Sequence, residues 1–360
     1  MKWIEVPEFG IKYFKTIKDG DSLDFRPSAT TLEFSDSLKA MNEEKVEQNE
    51  MIDCVRYIKP IQANNLYSPK IIPAEITQDT QWYESDQQPK TKFVKVKNYD
   101  GQLDFDQQIL LPIDVSLYID EIDLSNNQKI HWATSGGFAN SKIKDMAIAK
   151  GISELVENHF KMYWWFNKTK IYLINNKILK NNDAFFKLNA QSTVCNVSLY
   201  LLEIPEKVGS YVAMCVLETK KYPYLSLGFG TNNMFDKAIT HAIYEAIHYY
   251  RGTNWYRLIG EDEKQYIAKN KDMSYLIKDT LTKRLFEKEE FPNISSNIIT
   301  DRFTFFAKVI HSSELGITTK VFSTELQPII NSKYVPFFYQ DLNTKDNVKR
   351  REKYNGVPFI

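Results

Sequence analysis

Cysteine is scarce in this sequence: Cys54, Cys195 and Cys215 stand far apart along 360 residues, with no CxxC pair. That excludes a disulfide-stapled secreted scaffold and a cysteine zinc site, and leaves the thiols reduced, buried or incidental. An excess of either charge is also missing, with Lys+Arg and Asp+Glu at 46 each. No overall positive field therefore argues for nucleic acid or an anionic membrane as partner. No apolar run approaches the roughly 20 residues needed to span a bilayer, and the opening MKWIEVPEFG lacks a basic-then-apolar signal pattern. A cytoplasmic protein is expected. Nowhere do Gly and Pro gather into a linker long enough to divide the chain. What is present is a hydrophobic content of 43% with 14% aromatic residues, ample for a substantial core.

Along the chain, SDSLKAMNEEKVEQNEMIDCVRYI (35–58) has helical periodicity through Leu38, Met41, Val46 and Met51, with a serine of SDS as N-cap. Residues 64–89 read as loop. KTKFVKVKNYDGQLDF alternates around an Asp-Gly turn and predicts a hairpin, and ILLPIDVSLYIDEI continues as a buried strand. A glycine loop then enters a helix at about 142–165. VCNVSLYLLEI and SYVAMCVLET predict a second hairpin, and KYPYLSLGFG ends in another glycine loop ahead of the helix MFDKAITHAIYEAIHYYRG. A mixed helical stretch follows at 262–289, and FTFFAKVI, TTKVFSTEL and YVPFFYQ read as strands. The expected fold class is α+β, a single domain over 1–360 with helices packed on mainly antiparallel sheet.

Chemistry concentrates in residues 134–160, TSGGFANSKIKDMAIAKGISELVENHF. Ser135, Gly136, Gly137 and Ala139 leave backbone N–H groups approachable by a ligand, and the helix that follows aims its positive end at them. Glu154 and Glu157 share one helix face at i and i+3 and could hold one cation. The first helix carries Glu43, Glu44, Glu47 and Glu50, of which Glu44 and Glu47 repeat that spacing. The third places His241, Glu245 and His248 on one face among Ala242, Ile243, Ala246 and Ile247. Five carboxylates meeting in a shielded cleft would need cations, and a triphosphate bridged by Mg²⁺ supplies both charge and ligands. The plainer reading makes the first-helix glutamates a solvated face and the histidines hydrogen-bonded structural residues. HxxxExxH lacks the His pair of a zinc-protease helix. Tyr163, Trp164, Trp165 and Phe166 read as core.

The order and spacing of EEKVEQ, TSGGFAN, SELVENHF and the helix in GFGTNNMFDKAITHAIYEAIH, with the terminal VPFI, resemble the YcaO family over most of the chain. That family comprises ATP-using enzymes that activate backbone amides of ribosomally made peptides. The resemblance implies a cyclodehydratase of bacterial natural-product biosynthesis that turns Cys, Ser or Thr into thiazoline or oxazoline. It implies ATP and Mg²⁺ as cofactors, with Glu44, Glu47, Glu154, Glu157 and Glu245 on the metal. Ser135, Gly136, Gly137, His241 and His248 would serve the nucleotide, and Pro358 and the Ile360 carboxylate would position substrate or transfer a proton. No leader-binding domain is evident in the sequence, so the partners implied are a precursor peptide, a ThiF-like leader-binding protein and a flavin dehydrogenase; a homodimer is compatible.

The chain departs from the pattern at Gln48 and Asn158, where family helices follow each ExxE with arginine, and at His241 and His248, where arginine and glutamine are common. Neither glutamine nor asparagine reproduces the bidentate, permanently charged grip of arginine on phosphate. Two alternatives to cyclodehydration follow: a non-catalytic scaffold subunit of a peptide-modifying synthetase, and a backbone thioamidation enzyme.

Overall fold

The computed structural model describes residues 2–6, 11–15, 28–52, 61–62, 92–99, 103–112, 136–165, 170–191, 195–204, 208–220, 223–259, 274–275, 277–279, 281, 285–287, 303–323 and 325–326. In chain order these form β1 (Lys2–Val6), β2 (Ile11–Lys15), β3 (Ser28–Thr31), α1 (Phe34–Ile52), β4 (Ile61–Gln62), β5 (Lys92–Tyr99), β6 (Leu103–Pro112) and β7 (Phe138–Ser141). Then come α2 (Lys144–Trp165), β8 (Ile171–Leu173), a short 3-10 helix (Ile178–Asn181), α3 (Asp183–Gln191), β9 (Cys195–Leu202), β10 (Tyr211–Thr219) and β11 (Leu225–Asn232). The last are α4 (Phe235–Ile259), β12 (Leu285–Glu287), β13 (Phe305–Ser313) and β14 (Gly316–Phe322). The expected α+β class, helices with mainly antiparallel sheet, is what forms. Among the described residues no helix is long and apolar enough to cross a membrane.

Two compact units divide the chain, one of Met1–Glu44, Tyr163–Ile298 and Phe359, the other of Lys45–Met162, Ile299–Pro358 and Ile360. In the first, a five-stranded sheet runs β11-β10-β9-β8-β12, antiparallel except for β12 beside β8. The predicted β9–β10 hairpin is there, with Cys215 opposite Leu199 and, on the other side, Gly228. Leu199, Leu201, Ala213, Cys215 and Leu217 face α3 and α4 in one buried cluster. Cys215 is the buried, unoxidised thiol that the sparse cysteines led one to expect.

The glycines of GFG are not a loop. Gly228 and Gly230 lie inside β11, where an added Cβ on Gly228 would stand 2.2 Å from Ala242 O and one on Gly230 2.3 Å from Ala238 O. Two residues of strand advance about 6.6 Å and four residues of helix about 6 Å. The glycine pair therefore keeps step with Ala238, Ala242 and Ala246, and α4 settles directly onto the strand. Ser226 Oγ, on the same strand face, donates to Ala246 O at 2.5 Å.

The second unit holds a sheet of order β4-β5-β13-β14-β7, with β6 paired to β5 in the predicted hairpin. The strands predicted in FTFFAKVI and TTKVFSTEL are β13 and β14. The helix predicted at 35–58 is α1, and it starts at Phe34 with Ser35 and Ser37 inside it instead of capping it; residues 53–58 lie outside the described residues. Thr31, before the helix, bonds Ser37 Oγ at 2.6 Å and donates to Glu33 O at 2.8 Å. The same join recurs three times: β3, β7 and β11 each hand over to α1, α2 and α4 through two residues, and each helix has an aspartate, Asp36, Asp145 or Asp236, in its first turn. An early carboxylate suits the positive helix end.

Candidate functional site

α2 buries Ala147, Ile148, Ile152, Leu155, Val156 and Phe160, a stripe of helical period that leaves Glu154 at its border. Glu154 is half-buried, with its carboxyl end enclosed by protein. Its Oε2 accepts the Gly137 N–H at 3.0 Å. Gly137 can offer that bond because its φ is +83°, and a Cβ there would lie 2.3 Å from Val321 O. Val321 N in turn donates to Gly137 O at 2.8 Å. The glycine turn therefore does not precede the helix directly. Phe138–Ser141 intervenes as a strand paired with β14, and the Gly137 N–H serves a carboxylate instead of standing open to a ligand or to the end of α2.

Two ammonium groups accompany the glutamates. Lys320 of β14 is buried, donates to Gly136 O, and sits 4.7 Å over the Phe138 ring. Lys161 Nζ lies 2.7 Å from Glu157 Oε1, with side chains only 15% and 10% exposed. Burial nevertheless dominates at Glu154 and pushes its carboxyl up to about 7; the Gly137 bond and then Lys320 oppose this, the charge of Glu157 adds to it, and Lys161 opposes it weakly. Near neutral pH this position calls for a proton or further positive charge. From α1, Glu47 Oε2 accepts Asn140 N at 3.1 Å, and Asn140 Nδ2 donates to Thr318 Oγ1 at 2.8 Å.

Glu47, Glu154, Glu157, Gly136 and Gly137 thus belong to the second unit and hang on one β7–β14–α2 framework. Glu44, His241, Glu245 and His248 belong to the first. There His241 Nε2 is 3.7 Å from Glu245 Oε1, both side chains about half exposed at 52% and 51%. The first-helix glutamates are no solvated face, since Glu43, Glu44 and Glu47 are half-buried and Glu50 is buried. Trp164 and Trp165 are buried as expected for core. Ser135, Phe166, Pro358 and Ile360 lie outside the described residues. Among the described residues no three His, Cys, Asp or Glu side chains close on a point as a metal cage would. An all-oxygen set of this kind fits Mg²⁺, which takes one or two carboxylates and completes its shell with phosphate oxygens and water.

Sequence reasoning missed Lys320, Lys161, Asn140 and His159. Lys161 was readable as the i+4 partner of Glu157. Lys320 carried no local signal, because it reaches Gly136 from 184 residues away. His159 is buried, edge-on to Phe160 and near Phe303, and burial lowers its pKa to about 3. The unfolded ring takes a proton near 6.5 and the folded one only near 3, so the stability from this group is present above 6.5 and is lost as pH falls from there toward 3. A His159→Phe chain should lose less stability than the parent between pH 7 and pH 5, measured by urea unfolding.

Glu47 and Glu154 each accept a backbone N–H, and Glu157 pairs with Lys161, so their oxygens are fixed donors of the kind a hard cation takes. The profile described as "YcaO cyclodehydratase, ATP-ad Mg2+-binding" matches residues 42–316. The chain belongs to the YcaO family of ATP- and Mg²⁺-binding cyclodehydratases. Comparison with curated proteins finds no match. Among solved structures, YcaO from Methanopyrus kandleri bound with AMPPCP and Mg²⁺ is similar at a TM-score of 0.63 and 13% identity, over 91% of this chain and 86% of that one. A chain of the E. coli microcin synthetase McbBCD complex with pro-MccB17 bound gives 0.66 and 15%, over 97% and 96%. A heterocyclase in complex with substrate and cofactor gives 0.65 and 18%, over 85% of this chain and 45% of that one. At these identities the likeness carries the fold.

Proposed function

We propose that this cyclodehydratase closes Cys, Ser or Thr side chains of a ribosomal precursor peptide onto the preceding backbone amide, leaving thiazoline or oxazoline. The observation that carries the reading is the enclosed Glu154, oriented by Gly137 and held near a pKa of 7 until positive charge arrives. Glu154, Glu157 and Glu47 of the second unit would hold Mg²⁺ on the nucleotide, and the family resemblance gives Glu44 and Glu245 of the first unit a metal-binding role as well. ATP, when bound, supplies the phosphoryl group that turns an amide oxygen into a leaving group. The chain's part is to fix the ligands before binding: Asn140 N–H orients Glu47, Gly137 N–H orients Glu154, and Lys161 orients Glu157. Gly136 is held by Lys320; roles for Ser135, His241 and His248 toward the nucleotide, and for Pro358 and Ile360 toward the peptide, rest on the family resemblance alone.

Lys161 and Lys320 bear on the arginines missing at Gln48 and Asn158. Each is an enclosed cation beside a proposed metal ligand, placed to offset charge that arginine offsets elsewhere in the family. A ThiF-like protein presenting the precursor leader is the proposed partner, with a flavin dehydrogenase where azolines are oxidised to azoles. With precursor, partner and Mg-ATP, the chain should release phosphate and lower the peptide mass by one water per ring. A mass gain from oxygen-to-sulfur exchange, given a sulfur donor, would instead establish thioamidation. The scaffold reading is favoured by one observation, the buried neutral Asn158 beside Glu157, and it requires neither phosphate release nor mass change.

A further inference from the structure

One carboxylate in the second unit has no role in the scheme above. Glu50 of α1 is only 6% exposed, and its Oε2 is buried without a hydrogen-bond partner among the described residues. It stands one turn beyond Glu47, at i+3, and two turns beyond Glu43, so the three share a face of α1. Neighbouring side chains at this spacing stand about 5–6 Å apart at their Cβ atoms. The middle member is tied to Asn140 N, which faces this stretch of α1 toward β7. A buried carboxylate normally recruits a cationic side chain or several N–H donors, and leaving it bare is costly. Here the nearest ladder neighbour is another carboxylate. Two carboxylates so placed offer oxygen donors to a cation.

We infer that Glu50 is a further ligand, with Glu47, for the divalent cation that accompanies the nucleotide. Two carboxylates on successive turns of one helix, completed by phosphate oxygens and water, are a sufficient protein share for Mg²⁺. The inference rests on the ATP- and Mg²⁺-dependent reading of the same unit. It differs in adding a ligand outside the ExxE spacing shared by Glu44–Glu47 and Glu154–Glu157.

The test is Mn²⁺ binding, followed by electron paramagnetic resonance with a non-hydrolysable ATP analogue, together with thermal unfolding in EDTA. Glu50→Gln keeps the shape and removes the charge. It should weaken Mn²⁺ binding about 10-fold or more and at the same time raise the EDTA melting temperature, because an uncompensated buried charge is gone. Mn²⁺ affinity within twofold of the parent overturns the inference, and if Glu154→Gln/Glu157→Gln still loses Mn²⁺ the parent reading stands without it. A Glu50→Gln chain that melts lower in EDTA, or fails to fold, also overturns it, because the carboxylate would then have a partner within the protein. No Mn²⁺ binding by the parent chain overturns both.

Discussion

Glutamine at both 154 and 157 is expected to lower ATP turnover at least ~1000-fold, the several kcal/mol that a correctly held metal contributes to the transition state. The two positions fail for different physical reasons. Glutamine at 154 can still accept the Gly137 N–H, so the turn should persist, but the anionic oxygen is lost. Glutamine at 157 leaves the Lys161 ammonium, largely enclosed, without its partner, and so carries a stability cost as well. Glu157→Gln/Lys161→Met removes both charges together and separates that cost from the loss of metal binding. Steady-state phosphate release and calorimetric titration with Mg-ATP read the two effects apart. The parent enzyme should also carry a pH signature. A carboxyl that keeps its proton up to about 7 competes with the cation, so affinity should fall roughly tenfold per unit as pH drops below 7 and level off above it. Glu154→Gln should flatten that slope.

Gly228→Ala should have the largest effect on stability of any single methyl addition considered. The new Cβ would meet Ala246 N at 2.1 Å and Ala242 O at 2.2 Å, and both are backbone atoms of α4 that cannot rotate away. Either the helix lifts off β11 or the strand bends. Lifting opens the cluster around Ile239, Ile243, Leu201 and Cys215, which is otherwise fully packed. Overpacking costs typically 1–3 kcal/mol, and a clash with backbone on both contacts belongs at the top, about 3 kcal/mol. For 360 residues at about 2.1 cal/mol/K of unfolding entropy each, the melting temperature should drop by roughly 4 °C. An alanine there that melts within a degree or two of the parent would mean that α4 does not lie on the strand as described.

α2 and α4 were legible because their apolar residues recur at helical period, and the β9–β10 hairpin because two alternating runs flank a turn. The glycines were not. GFG before a helix reads as a loop in one dimension, and only the matching rise of Ala238, Ala242 and Ala246 shows it to be a strand that must carry no side chain. SGG failed in a similar way, since Gly137 is required by the approach of Val321, far along the chain. The glutamate pairs announced themselves by spacing, whereas what holds them did not. Asn140, Lys320 and Thr318 come from β7 and β14, brought together by strand pairing that no local pattern encodes.

The central claim, that this chain transfers phosphate to a backbone amide, is tested most directly with a precursor peptide carrying heavy oxygen in its amide carbonyls. Incubated with the partner protein and Mg-ATP, each ring formed should move one labelled oxygen from peptide to released phosphate, and Glu154→Gln/Glu157→Gln should move none. ATP consumed while the label and a full water remain in the peptide would contradict the account.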